Sequence, residues 1–237
     1  MNMNRFLRLA FTCLVFPLCV QGQAGFQKIT AHVFTRQTEK GYVSAISGDL
    51  YYTRNGNLVS SFTSPKPYIM VTNNQGEVRI YDPVKNTVMQ FQNALFSTTT
   101  TPFFYFFTGK TADMGLQHSG YRISDTHFDK DLMVTLWKTE NPQPKDPVVF
   151  VKLVHQRNKP IYMDYEDAKH QVIRKVYYYD YTDLGGISFP KTFTEILYQK
   201  EDSVITKTEY SAFKLNGDAS SPLFNFEIPV NAKLIKQ

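Results

Sequence analysis

From Tyr42 onward, turn residues cut the chain into short stretches in which apolar and polar side chains alternate. The first stretches, 42–53, 58–63, 68–72, 78–81 and 87–92, are separated by Asn55-Gly56, Ser64-Pro65, Asn74-Gln75-Gly76 and Asp82-Pro83. A period of two puts successive side chains on opposite faces of a strand. Connections this short join antiparallel neighbours, because a parallel return needs a crossover of about a dozen residues or more. The pattern resumes at 122–123, 132–137, 148–155, 161–165, 172–181, 191–199, 204–213 and 224–228. These stretches predict a mainly β chain of roughly eleven to thirteen strands. A sheet that wide curls or closes. The expected fold is therefore one continuous antiparallel barrel or half-barrel with few helices. No fixed-period repeat and no composition shift divides the chain, so 23–237 reads as a single domain.

The segment before the strands carries two different signals. Arg5 and Arg8 precede an uncharged, mostly apolar run over 9–20, followed by small residues at Gly22 and Ala24, which is the layout of a cleavable export signal. Cleavage falls after Gly22, or as late as Ala24, and predicts an exported, periplasmic protein. The bulky Phe16-Pro17-Leu18 before Cys19 argues against lipidation there, and both cysteines, Cys13 and Cys19, lie in the leader. Next, Phe26, Ile29 and Val33, with Thr30 and Gln37, recur at spacings of three and four. That predicts an amphipathic helix over 25–39, ended by Gly41.

Aromatic residues are abundant: 19 Phe, 15 Tyr and one Trp make up 15% of the chain, so something large and apolar is built or lined. The stretches 148–154 and 176–179 are apolar on both faces, which a sheet with one solvated side does not require. Between the two runs of strands lies 91–109, with Phe91, Leu95, Phe96 and the string Phe103-Phe104-Tyr105-Phe106-Phe107. This segment fits a short helix or lid plugging a concave sheet. Its aromatics either belong to the core or cap a cavity for an acyl chain. Leu50, Tyr52, Ile69, Val71, Ile80, Phe91, Leu95, Phe103, Phe104, Phe106 and Phe107 are the candidate cavity and lid residues.

No catalytic or metal-binding spacing appears. Gly109-Lys110-Thr111 lacks the glycine that would start a phosphate loop, since that position is Phe104. His32, His118, His127, His155 and His170 form no i,i+4 pair, and no serine sits in a G-x-S-x-G elbow. A net charge of +5 without any run of Lys and Arg gives no nucleic-acid footprint. The expectation is a protein that is not an enzyme and uses no cofactor or metal.

The order of elements resembles the outer-membrane lipoprotein carrier (LolA-type) family. The likeness rests on Gly48-Asp49-Leu50-Tyr51-Tyr52-Thr53-Arg54, Asn57-Leu58, Phe62-Thr63-Ser64-Pro65-Lys66-Pro67, Val71-Thr72-Asn73-Asn74 and Ile80-Tyr81-Asp82-Pro83. Thr101-Pro102 before an apolar stretch and the ending Leu223-Phe224-Asn225-Phe226-Glu227-Ile228-Pro229 continue it. The resemblance implies an unclosed antiparallel β-barrel with helices over its mouth and an apolar cavity inside. It also implies a periplasmic chaperone that takes lipoproteins from an inner-membrane release complex, shields their acyl chains and passes them to an outer-membrane receptor; the chain is expected to be a monomer without a nucleic-acid partner. In that family a strand-borne arginine latches the lid, and Arg54 is the matching position; Asn55-Gly56 follows it where a proline is usual. A periplasmic carrier of a free lipid, glycolipid or other hydrophobe is the alternative on the same fold.

Overall fold

The structure is a computed structural model in which residues 26–143, 147–200 and 202–235 are described; the leader expected over 1–22 lies outside them. Among the described residues fourteen strands form one sheet, more than the eleven to thirteen expected. They are β1 Lys28–Glu39, β2 Tyr42–Thr53, β3 Leu58–Ser64, β4 Tyr68–Thr72, β5 Glu77–Asp82, β6 Thr87–Gln92, β7 Tyr121–Asp129, β8 Leu132–Thr139, β9 Phe150–Gln156, β10 Lys159–Glu166, β11 Val172–Asp183, β12 Ser188–Tyr198, β13 Ser203–Leu215 and β14 Lys233–Ile235. Among the described residues one α-helix, α1 Pro102–Phe107, interrupts them.

The strand order is β14-β6-β5-β4-β3-β2-β1-β13-β12-β11-β10-β9-β8-β7, so the sheet is unclosed, with β14 and β7 at its edges. Two meanders, β1–β6 and β7–β13, are joined where β1 pairs with β13, as in Ile29 opposite Leu215. All neighbours are antiparallel except β14, which runs parallel to β6. No helix among the described residues is long and apolar enough to cross a membrane.

The N-terminal helix expected over 25–39 is instead strand β1. Ile29, Ala31 and Val33 are buried while Lys28, Thr30 and His32 alternate with them, which is a period of two. Ile29 and Val33 lie four apart, a spacing that suits a helix turn and a strand face equally. Pairing on both sides, with β2 and β13, decides for the strand. A second departure is 224–228, expected as a strand. It begins within a 3-10 turn, Pro222–Asn225, and continues as an extended strap across the convex face, where Phe224 meets Tyr51 edge-on at 5.5 Å and Phe226 meets Tyr81 at 6.0 Å. The strap ends in β14 and covers part of a surface that the meander alone leaves open. Gly48 marks a bulge between β2 and β3, and a side chain there would collide with the Ser61 carbonyl.

The core lies on the concave face. Thr101 caps α1 by accepting from the Phe104 N–H at 3.3 Å, and Pro102 opens the first turn. The helix is six residues long and is packed into the sheet rather than lying across its mouth. Phe103, Phe106 and Phe107 are buried, and Phe103 packs against Tyr52 and Tyr210 while Phe106 packs against Tyr178 and Phe193.

Candidate functional site

The inner faces of β10–β13 pair into rows. Tyr165, Arg174 and Leu197 form one row; Met163, Val176, Glu195 and Thr206 form the next; Tyr178, Phe193 and Thr208 form the third. With Tyr105 of α1 and Met114 and Leu116 of the following loop, these rows bound a cavity of about 760 Å³. The third row meets the buried ring of Phe106, so the cavity closes against α1 and opens toward the ends of the strands near Leu197. Gly115 permits this closure, because a side chain there would collide with the Tyr105 ring. On the other side of Phe106 lies a second cavity of about 470 Å³, rimmed by polar groups including Thr108, Asn158 and Lys159.

The large cavity is apolar with one charged feature. Arg174 Nε lies 2.8 Å from Glu195 Oε1, and the guanidinium stands 4.8 Å from the centre of the Tyr165 ring. The pair is diagonal on neighbouring strands, a consequence of register rather than of sequence spacing.

The candidate residues fall in three places. Leu50 and Tyr52 are buried on the concave face, where the Tyr52 ring meets Phe26 and Phe103. Ile80 and Phe91 share that face by register but lie in the β5–β6 half, away from the large cavity. Ile69 and Val71 are a correction. They pair with Tyr81 and Arg79, on the convex side, and the concave residues of β4 are Tyr68, Met70 and Thr72. Val71 lies instead beside the strap residues Phe224 and Phe226. Leu95 is 83% exposed at the cavity rim. Phe103, Phe106 and Phe107 make the plug, while Phe104 is half-buried under Lys110 Nζ, 4.9 Å from its ring centre. Arg54 is exposed in the turn after β2 and makes no side-chain hydrogen bond or ion pair among the described residues. No latch from Arg54 to α1 is formed in this structure.

The cavity residues of β10–β13 carried a local signal, the alternation Arg174-x-Val176-x-Tyr178 beside Phe193-x-Glu195-x-Leu197. Strand pairing also assembles a chain with no sequence signature. His32 Nδ1 lies 2.9 Å from Asp49 Oδ1, and Ser47 Oγ lies 3.1 Å from His32 Nε2. This connectivity matches a nucleophile, base and carboxylate. It stands on the convex face with His32 and Asp49 side chains 41% and 52% exposed, without the water-excluded setting in which such a chain acts. Among the described residues no group of three or more His, Cys, Asp and Glu is placed to hold a metal.

Burial also sets the behaviour of the tyrosines in alkali. It pushes the Tyr52 phenol up to about 12 and raises Tyr178 and Tyr210 as well. Each is raised above its unfolded value of 10.0, so the stability it contributes is complete below pH 10 and is lost as pH rises through the folded value. The thermal midpoint followed by circular dichroism is expected to fall steadily above pH 10. A flat profile to pH 12 would show that these phenols ionise without opening the core.

No protein-family model and no curated protein sequence matches the chain. Solved structures do. A DUF1329-family protein from Desulfovibrio piger superposes with a TM-score of 0.58 at 12% identity, covering 85% of this chain and 91% of that one. A putative outer membrane lipoprotein-sorting protein domain from Vibrio parahaemolyticus gives 0.57 at 10% identity over 85% and 91%. A LolA-superfamily protein from Nitrosomonas europaea gives 0.54 at 10% identity over 80% and 86%. The chain has a LolA-like fold.

Proposed function

We propose that this chain is a periplasmic carrier that shields the acyl chains of lipoproteins in the cavity between β10–β13 and α1 while they pass from the inner to the outer membrane. The observation that carries this reading is the open, largely apolar space of about 760 Å³ on the concave face. It lies within the ~300–1,000 Å³ range of sites that enclose small molecules. Each methylene removed from water contributes ~0.8 kcal/mol, so a modest length of chain in this cavity gives useful affinity without any covalent step. Met114 and Met163 in the wall suit chains of varied shape, because the unbranched thioether repacks readily. The export-signal pattern before Gly22 and the LolA-like fold support the same reading. Release to an outer-membrane receptor, after loading by an inner-membrane complex, completes the proposed cycle. The protein acts in it by binding, with no catalytic step and no cofactor.

A free lipid is the second reading, favoured by the charged pair in the cavity wall. In-cell photo-crosslinking from a benzophenone amino acid at Leu197, at the mouth, separates the two, with exposed Val84 as the control position. Capture of acylated polypeptides at Leu197 and not at Val84 is the expected result. Capture of free lipid alone transfers the proposal to the second reading. No adduct at Leu197 beyond that at Val84 overturns both.

A further inference from the structure

The charged pair is placed where an apolar cavity has least use for it. A guanidinium taken from water into an apolar wall is costly unless its donors are satisfied. Here they are not. Arg174 Nε is within ion-pair distance of Glu195, 2.8 Å, yet has no acceptor at hydrogen-bond geometry, and no terminal Arg174 nitrogen donates to any described residue. Arg174 and Glu195 side chains are 39% and 40% exposed, which keeps them reachable through the mouth. Just inside them, two phenols are poorly satisfied too. Tyr165 Oη and Tyr178 Oη both point to Met163 Sδ, at 3.7 and 3.5 Å, and a thioether is a weak acceptor. Five guanidinium N–H groups and the Tyr165 phenol therefore lie at the mouth end of the cavity, with a single carboxylate facing them.

We propose that this end of the cavity is an anion subsite, in which Arg174 and Tyr165 receive the carboxylate or phosphate head of a lipid whose chain lies along Val176, Tyr178 and Phe193. The inference rests on the free-lipid reading of the same cavity and names the class of cargo. A planar guanidinium presents parallel donors that match a carboxylate or phosphate, and the Tyr165 ring beneath it holds the fork in plane. In the empty protein Glu195 compensates Arg174. On binding, the ligand anion replaces Glu195 as the partner and the half-exposed Glu195 carboxylate turns to water. Binding is then an exchange of partners rather than the burial of a new charge. The row spacing fits this arrangement, since Arg174 and Tyr178 are about 13 Å apart along β11 at ~3.3 Å per residue, with apolar wall between.

The test measures displacement of a fluorescent acyl probe by three chain-matched ligands: palmitate, palmitoyl lysophosphatidic acid and methyl palmitate. Wild-type protein is expected to prefer the anions over the neutral ester by about tenfold or more, with a preference that weakens as salt is raised. Arg174→Met should remove that preference while changing ester affinity by less than about twofold, and Arg174→Lys, which keeps the charge without the fork, should restore part of it. Glu195→Gln should tighten the anions alone. The stronger of palmitate and lysophosphatidic acid identifies the head as carboxylate or phosphate. Equal binding of anions and ester by the wild type, or equal weakening of all three by Arg174→Met in a folded protein, overturns the anion subsite and leaves the carrier reading standing. Failure of all three ligands to displace the probe, or of the probe to bind, overturns the carrier reading and the subsite with it.

Discussion

Phe189→Ala is expected to lower the unfolding free energy by about 3–5 kcal/mol, the usual cost of truncating a buried Phe to Ala. Phe189 is fully buried, and its ring is the hub of the aromatic plug. The rings of Phe103, Phe106 and Phe107 lie 5.4, 5.5 and 5.2 Å away, and those of Phe193, Tyr210 and Phe213 lie 5.8, 5.8 and 5.4 Å away. Truncation removes all six contacts together, and aromatic pairs are worth about 0.5–1.5 kcal/mol beyond their area. The neighbours sit on α1, β12 and β13, so no single side chain can move into the hole without abandoning another contact. Against a typical total of about 5–15 kcal/mol, this loss is large. Urea denaturation should show a lower midpoint with the slope unchanged. Phe104→Ala is the internal comparison, because Phe104 is half-buried outside the plug, and it should cost under about 1 kcal/mol. Similar losses in the two variants would mean that the rings of α1 and β12 do not form one packed unit.

The same plug shows how far the sequence could be read. Turn chemistry placed β2, β4 and β6 at their observed bounds, because Asn-Gly and Asp-Pro constrain the backbone locally and need no distant partner. The reading failed where a decision belonged to the partner strand. Ile29 and Val33 fit a helix as well as a strand, and only pairing on both sides, with β2 and with β13 almost two hundred residues later, resolves the choice. Ile69 and Val71 lie in a correctly bounded strand but on the wrong face, because a hairpin's loop fixes face and a one-residue difference reverses it. The aromatic string of α1 was visible, but its division into buried Phe103, Phe106 and Phe107 and half-buried Phe104 depends on how the helix is rotated against the sheet. The large cavity was hidden for a related reason. Its walls come from β10 to β13, and the alternation in each strand is ordinary until pairing aligns Tyr165, Arg174 and Leu197 across the sheet. Arg54 was found by motif order, whereas Arg174 follows only from register.

Thr206→Trp is expected to shorten the acyl chain that the cavity accepts while leaving the fold intact. Thr206 is half-buried on the cavity wall, opposite Glu195, and its side chain makes no hydrogen bond among the described residues, so its replacement leaves no polar partner behind. An indole at that position occupies space otherwise open to ligand. If it displaces about three methylenes, at ~0.8 kcal/mol each, long-chain affinity falls by about fiftyfold. The clearest readout is chain-length dependence. In the wild type, each pair of added carbons should tighten binding by about tenfold until the chain fills the cavity, after which affinity levels off. Thr206→Trp should level off at a shorter chain, with short ligands bound as before. That shift in the plateau separates loss of volume from loss of the Arg174 head-group contact, which would weaken anions of every length alike. A plateau unchanged by Thr206→Trp would place the acyl chain elsewhere, and the smaller cavity on the far side of Phe106 would become the site to test.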